Sequence, residues 1–306
     1  MEISKSSRKK STAERVAQIV FTICASFTIL AALSIMIYMI ANGTPALFKV
    51  GIKELLFGTE WKPTAAEPEY GIFYVILTSI VGTCMAILLG VPIGILTAVF
   101  LAEAAPERLA KVVKPAVELL AGIPSVIYGL LGIMILNPVM YKAEMALFKD
   151  SQTHQFTGGA NLLSAVIVLA VMILPTVINM SETAIRAVHP SLKASSLALG
   201  ATHMQTIFHV ILPAAKSGIL SAVMLGVGRA IGEAMAITLV SGSSVNLPLP
   251  FNSVRFLTTA LVSEMGYASD LHREVLFTIG LVLFVFIMII NVVMEKMIKN
   301  GGKEHA

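Results

Sequence analysis

Arg229 and Glu233 stand in the run Gly226-Val227-Gly228-Arg229-Ala230-Ile231-Gly232-Glu233-Ala234-Met235-Ala236, inside an apolar stretch long enough to cross a bilayer. A charge at the bilayer centre costs at least ~2.5 to 3.5 kcal/mol on insertion scales, so neither side chain can face lipid. On a continuous helix the spacing of four puts both on one face, where each partly neutralises the other. Gly226 and Gly232 flank Arg229 and admit a second backbone or a substrate. Two readings follow. In one, the pair is a buried ion pair that only fixes helix packing. In the other it belongs to an anion path, in which the planar guanidinium of Arg229 offers bidentate donors to an oxyanion, and Glu233 steadies it or takes a proton from a partly protonated oxyanion.

The elements that must position this pair are membrane helices. Of the 306 residues, 56% are apolar and 13% charged, against roughly 25% charged in soluble domains, and the mean hydropathy is +0.85. Windows of about 20 residues with few charges predict six spans, at 16–40, 71–101, 116–136, 162–180, 217–241 and 275–294. The first exceeds a signal-peptide apolar region and is not followed by a cleavage site, so it is expected to remain as an anchor. Pro92, Pro124 and Pro175 are expected to kink or break their helices, and Ser125 can meet the carbonyl freed at Pro124. The organisation expected is a basic N-terminus at 1–15, one membrane domain at 16–294 with a long connection at 181–216, and a tail at 295–306. The fold class is an all-α integral membrane protein.

Orientation follows from Lys and Arg in alternate loops. Fourteen fall on the side of the termini and seven on the other, with Arg229 inside a span. Both termini are therefore expected in the cytoplasm. Trp61 and Tyr70 fit the aromatic belt of the opposite interface, and the outer loops 42–70, 137–161 and 242–274 are sized to form a receiving surface rather than domains.

Other chemistries lack their residues. The net charge of +4 is spread over short loops rather than gathered on a nucleic-acid face. Cys24 and Cys84 lie within apolar runs as expected packing residues, with no C-x-x-C. The six histidines include no H-E-x-x-H and no i, i+4 pair, so no metal site is expected. There is no phosphate-binding loop before a helix; Gly301-Gly302-Lys303-Glu304 sits in a polar tail. No catalytic residue and no bound cofactor are expected on this chain.

The connection after the fourth span divides into two helical pieces, 190–199 and 201–212, around Gly200. Pro190 suits a first helical turn, Gly200 a C-terminal cap and Thr202 an N-cap. Met204, Ile207, Phe208 and Ile211 make a stripe for the bundle or a partner. Alone, this is a structured connector. It resembles the cytoplasmic E-A-A-x-x-x-G-(nine residues)-I-x-L-P loop of ABC importer membrane subunits, aligned on Gly200 and on Leu212-Pro213, with Val210 at the isoleucine position. Ala194-Ser195-Ser196 occupies the E-A-A positions, so the family glutamate is missing. The resemblance implies a type I importer bundle whose 191–213 loop docks in an ATPase cleft.

Several separated stretches also resemble the phosphate-uptake permeases within that family. They are Trp61-Lys62-Pro63, Glu69-Tyr70-Gly71, the run from Ala121 through Ile123-Pro124-Ser125 to Tyr128-Gly129, and Gly228 to Glu233, which matches a G-R-A-I-G-E motif. Glu233-Ala234-Met235-Ala236 and Ser263-Glu264-Met265-Gly266 are similar to the PstC-type subunit rather than its PstA-type partner. The resemblance implies a bacterial inner-membrane subunit in which Arg229, Glu233, Ser125 and Tyr128 line the substrate path. It implies as partners a PstA-like permease, two ATPase subunits that use ATP and Mg, and an extracytoplasmic phosphate-binding protein, with lipid around and no nucleic acid. The same architecture with molybdate or sulfate, and an ion-driven secondary transporter, are the alternatives.

Overall fold

The protein is described by a computed structural model over residues 12–303, with side chains over 14–298. The basic cluster at Lys5 to Lys10, the side chains of Lys299 and Lys303, and His305 lie outside the described residues. Six helices are long and apolar enough to span a membrane, at Glu14–Lys49, Phe73–Ala104, Ser125–Leu147, Leu162–Arg186, His203–Gly232 and Asp270–Ile298. In chain order the elements are α1 (Thr12–Lys49), α2 (Ile52–Phe57), the two-stranded ribbon β1 (Trp61–Lys62) and β2 (Glu69–Tyr70), α3 (Phe73–Val99), α4 (Glu107–Gly122), α5 (Ser125–Leu131) and α6 (Asn137–Leu147). Then follow α7 (Leu162–Arg186), α8 (Pro190–Ala198), α9 (His203–Thr206), α10 (Leu212–Gly232), α11 (Met235–Val240), α12 (Leu257–Glu264) and α13 (Asp270–Lys303). An even number of spans leaves both ends of the described chain at one end of the bundle, called here the near end.

Two spans depart from the sequence expectation. The third begins at Ser125 and not at 116. Proline disfavours helical backbone in the residue before it, and Ile123 is accordingly extended, with φ −72° and ψ 127°. The stretch before it becomes α4, an amphipathic helix of 16 residues that carries Glu107, Arg108, Lys111, Lys114 and Glu118, too many charges for a span. The fifth span starts earlier than expected and stops at Gly232, because Glu233 is extended (φ −72°, ψ 130°) and a new short helix, α11, starts at Met235. Pro92 and Pro175, by contrast, sit inside helices that run through without a break.

Three π-helical turns, Phe100–Ala104, Gly132–Leu136 and Ile207–Ile211, each end two residues before a proline: Pro106, Pro138 and Pro213. A proline cannot donate to the preceding turn and its ring crowds the carbonyl four residues back, so a widened turn there relieves the conflict. Pro213 therefore does not end a helix; α9, the π turn and α10 form one span.

The centre of the bundle is α7, packed against α3 and α10. Gly90 and Gly94, four apart on α3, let the backbone approach Ile173 and Val177 of α7: a Cβ on either would meet those side chains at 2.7–2.8 Å. This small-residue spacing suits a bilayer, where helices associate by close packing rather than by expulsion of water. α1 lies at the periphery along α13, tied by the Thr278 hydroxyl donating to the Gly43 carbonyl at 2.6 Å, and much of its apolar surface is left for lipid. Cys24 and Cys84 are on the exposed surface of the bundle and not in its packed interior, since α1 and α3 turn those faces outward.

The far-end loops are built around two buried carboxylates. Glu144 is fully buried and accepts from the Thr157 main-chain N–H at 2.9 Å and its hydroxyl, and lies 2.8 Å from His154 Nε2. Glu264 accepts from the Arg255 guanidinium and from the Trp61 indole N–H at 3.2 Å, and lies 2.8 Å from His272 Nε2. Trp61 and Tyr70 pair across the ribbon, so the pair read as an interfacial belt also packs against the Glu264 cluster.

Candidate functional site

The helical backbone breaks at Ile123-Pro124, between α4 and α5, and at Glu233-Ala234, between α10 and α11, and the short helices that follow the two breaks, α5 and α11, pack on each other. At the crossing of α5 and α11, a Cβ on Gly129 would stand 2.9 Å from the Ala236 Cα, and one on Gly132 would meet Val240 at 2.5 Å. Irregular backbone at membrane depth requires its polar groups to be met within the protein, and both breaks meet this demand. The Tyr128 hydroxyl donates to the Leu120 carbonyl at 2.7 Å, across the first break. At the second, the Thr258 hydroxyl of α12 donates to the Glu233 carbonyl at 2.7 Å, and the Glu233 carboxylate accepts from the Ala236 N–H at 2.9 Å.

This corrects the geometry expected for the charged pair. Glu233 lies beyond the last turn of α10, so the two residues do not share a helical face, and among the described residues no ion pair joins them. The Glu233 carboxylate instead caps α11 and satisfies one of the N–H groups that a helix start leaves free. Arg229 stays half-buried in the last turn of α10, where a cation complements the carbonyl end of the helix. Gly226 does not flank it as expected: Gly226 is buried against Val177 of α7, whereas Gly228 and Gly232 face open space. Tyr128 is buried, and its hydroxyl lies within reach of the Arg229 charge. Ser125, half-buried, opens α5. Arg229 thus stands one turn before the second break, beside the exposed Gly228 and Gly232, and Tyr128 stands just past the first break.

At the far end, the loops following α6 and α11 enclose a polar cavity of about 600 Å³ whose walls include Tyr74, His154, Thr157, Ser244, Asn246 and Asn252. Burial pushes the Tyr70 and Tyr267 hydroxyls above the usual tyrosine range, and the Glu264 carboxylate adds to the effect on Tyr267.

At the near end, α8 begins with Pro190 in its first turn, and Gly200 follows its C-cap residue Leu199 with φ +87°, as expected of a glycine cap. Thr202 caps α9 in a reciprocal capping box with Gln205. The expected apolar stripe is split. Ile207 and Ile211 are buried against the bundle, while Met204 and Phe208 are exposed, together with Leu192, Leu197 and Leu199. Of the E-A-A positions, Ala194 and Ser195 are exposed, and Ser196 is within 2.9 Å of the Thr206 hydroxyl. Leu212 and Pro213 open α10.

The sequence reading missed a polar network behind this loop. Glu182 of α7 is 2% exposed and accepts from Arg186 Nε at 2.7 Å and Lys114 Nζ at 3.3 Å. Arg186 Nη2 donates to the Leu101 carbonyl at 2.8 Å, and Lys193 of α8 donates to Glu103 at 2.5 Å. The i, i+4 spacing of Glu182 and Arg186 was the one local signal for it.

Six helices long and apolar enough to span a membrane, with two backbone breaks whose following helices meet, make this a polytopic membrane protein of the class whose broken helices can line a solute path. The chain belongs to the family of binding-protein-dependent transport system inner membrane components, which it matches over residues 90–299. Among curated proteins it is 38% identical over 296 residues to a probable ABC transporter permease protein, YqgH, of Bacillus subtilis (strain 168), covering 94% of this chain and 93% of that one. It is 33% identical over 291 residues to the phosphate transport system permease protein PstC of Xylella fastidiosa (strain 9a5c), covering 92% and 89%. Among solved structures, a bacterial alginate ABC transporter in complex with its pentasaccharide-bound periplasmic protein shares the fold at TM-score 0.64 and 16% identity, covering 92% of this chain and 94% of that one. The MetNI methionine ABC transporter does so at TM-score 0.52 and 20% identity, covering 76% and 94%. The protein is a multi-pass membrane permease subunit with the bundle of an ABC importer.

Proposed function

We propose that this chain is a permease subunit of an ATP-driven, binding-protein-dependent importer of inorganic phosphate, and that it forms the translocation path with a second, PstA-like permease. The observation that carries the reading is Arg229, a guanidinium held beside two interrupted helices, next to glycines that leave open space. A planar fork of donors in a low-dielectric passage recognises a tetrahedral oxyanion without relying on water. Phosphate, rather than molybdate or sulfate, is supported by the relatives named as phosphate permeases. Tyr128 and Ser125, which follow the first break, are the hydroxyl groups proposed for the same anion, with the Tyr128 proton already given to the Leu120 carbonyl.

The remaining parts follow from the two ends. The near end faces the cytoplasm in this reading, which the fourteen-to-seven division of Lys and Arg supports. There the exposed Leu192, Leu197 and Leu199 of the 191–213 loop dock on one of two ATPase subunits, which bind and hydrolyse ATP with Mg; this chain performs no chemistry. The far-end loops receive an extracytoplasmic phosphate-binding protein over the polar cavity. Closure of the ATPase pair moves the docking loop and opens the path outward, and hydrolysis of the ATP with release of ADP and phosphate returns it inward. In cells lacking their own phosphate permease, this chain produced with its partners should restore uptake of radiolabelled phosphate. That uptake should require the ATPase and the binding protein and should persist in excess sulfate or molybdate. Uptake that survives inactivation of the ATPase, or that prefers another oxyanion, would overturn the proposal.

A further inference from the structure

The docking loop is continuous in the chain only with the fourth and fifth spans, yet its strongest polar attachments run to the second. Glu103, in the π turn that ends that span, accepts from Lys193 Nζ of α8 at 2.5 Å, and its side chain is 10% exposed. Its main-chain carbonyl is 3.2 Å from Nε2 of His203, the first residue of α9. Two residues earlier the Leu101 carbonyl receives Arg186, the last residue of α7. The end of the second span is thus held at three points by groups on both sides of the loop.

The other end of the same helix reaches the candidate site. Ser79 of α3 accepts from the Leu257 N–H of α12 at 2.8 Å, and the next residue, Thr258, is the one that donates to the Glu233 carbonyl at the second break. From Glu103 to Ser79 is roughly 36 Å along a helix at 1.5 Å per residue, and helices transmit displacement along their axes as stiff rods. Pro92 does not interrupt it.

We infer that Glu103 is a positioning residue that fastens the docking loop to the second span, so that loop movement reaches the Glu233 break through α3 and α12 as well as through the fourth and fifth spans. The inference rests on the proposed importer function and adds to it the route of coupling. Glu103 touches neither the ATPase face of the loop nor the anion. Its loss therefore separates ATP hydrolysis from transport without removing either partner.

The test uses the assembled complex with its ATPase subunits, reconstituted in liposomes and supplied with phosphate-loaded binding protein. The readouts are ATP hydrolysed per phosphate imported and the stimulation of hydrolysis by the loaded binding protein. Glu103→Gln is expected to copurify with the ATPase and keep its unstimulated hydrolysis, while ATP used per phosphate rises about fivefold or more. Glu103→Lys alone should be uncoupled, and the exchanged pair Glu103→Lys with Lys193→Glu should restore the ratio toward wild type. A wild-type ratio in Glu103→Gln would overturn the inference. So would an exchanged pair that stays uncoupled or fails to assemble, since the contact would then be structural only. If Glu103→Gln itself fails to assemble, the exchanged pair decides alone. A wild-type complex whose hydrolysis ignores loaded binding protein would overturn the importer reading instead.

Discussion

Gly129 of α5 lies against Ala236 of α11 so closely that a Cβ on the glycine would stand 2.9 Å from the Ala236 Cα and 3.0 Å from its carbonyl oxygen. The two interrupted helices therefore depend on a missing side chain for their crossing. Gly129→Val should force them apart and destabilise the protein by about 1–3 kcal/mol, as overpacking of a filled interior does. A lowered melting temperature of the purified protein in detergent, with Gly122→Val as the control at a glycine whose Cβ meets nothing within 4 Å, checks this.

Glu233 acts as a cap and not as the partner of Arg229, so its amide should replace it. The carbonyl of glutamine accepts the Ala236 N–H as the carboxylate does. Glu233→Gln should keep assembly and most uptake, whereas Glu233→Ala should lose about 0.5–2 kcal/mol of stability. Equal damage in both variants would return the charge of Glu233 to the transport path.

Gly200 has φ +87°, and a Cβ there would meet nothing within 4 Å, so only backbone conformation restricts the position. Gly200→Val should strain the docking loop by roughly 1–2 kcal/mol, while Gly200→Asn, which visits this conformation more readily, should be tolerated. Membrane insertion should be normal in both, and copurification of the ATPase should fall only in the valine variant.

Cysteines placed at Lys62 and Asn246, after Cys24 and Cys84 have been replaced, should react with an impermeant reagent from outside the cell, and one at Lys193 only after permeabilisation. The reverse pattern would invert the bundle and remove the ATPase from the 191–213 loop.

The apolar runs around α3, α7 and α13 were legible because an unbroken apolar helix has one dominant signal, its length. The third and fifth spans were misplaced for separate reasons. Pro124 was expected to kink or break its helix, but within a span starting at 116; with extended Ile123 before it the chain breaks outright and leaves the charged α4 out of the span. At Glu233-Ala234 there is no proline, and the break is stabilised by Thr258, a residue 25 positions away. The helical spacing of Arg229 and Glu233 therefore misled, since the break between them takes Glu233 off the face that Arg229 occupies. The cap chemistry of Pro190, Gly200 and Thr202 was readable because it is local. Glu103, Glu144, Glu182 and Glu264 were not, because their partners stand on other elements and leave almost no periodic trace in the sequence.

Arg229 is the centre of the account, and because Glu233 is occupied with Ala236, removing the guanidinium leaves no ion-pair partner exposed. Binding-protein-dependent accumulation of labelled phosphate in liposomes carrying the assembled complex should fall by about an order of magnitude or more in Arg229→Gln, the loss of a charge-assisted pair of hydrogen bonds. Assembly and the melting temperature should stay near wild type. Near-normal phosphate accumulation by an assembled Arg229→Gln complex would contradict the account and leave Arg229 as a helix-terminal cation without a part in transport.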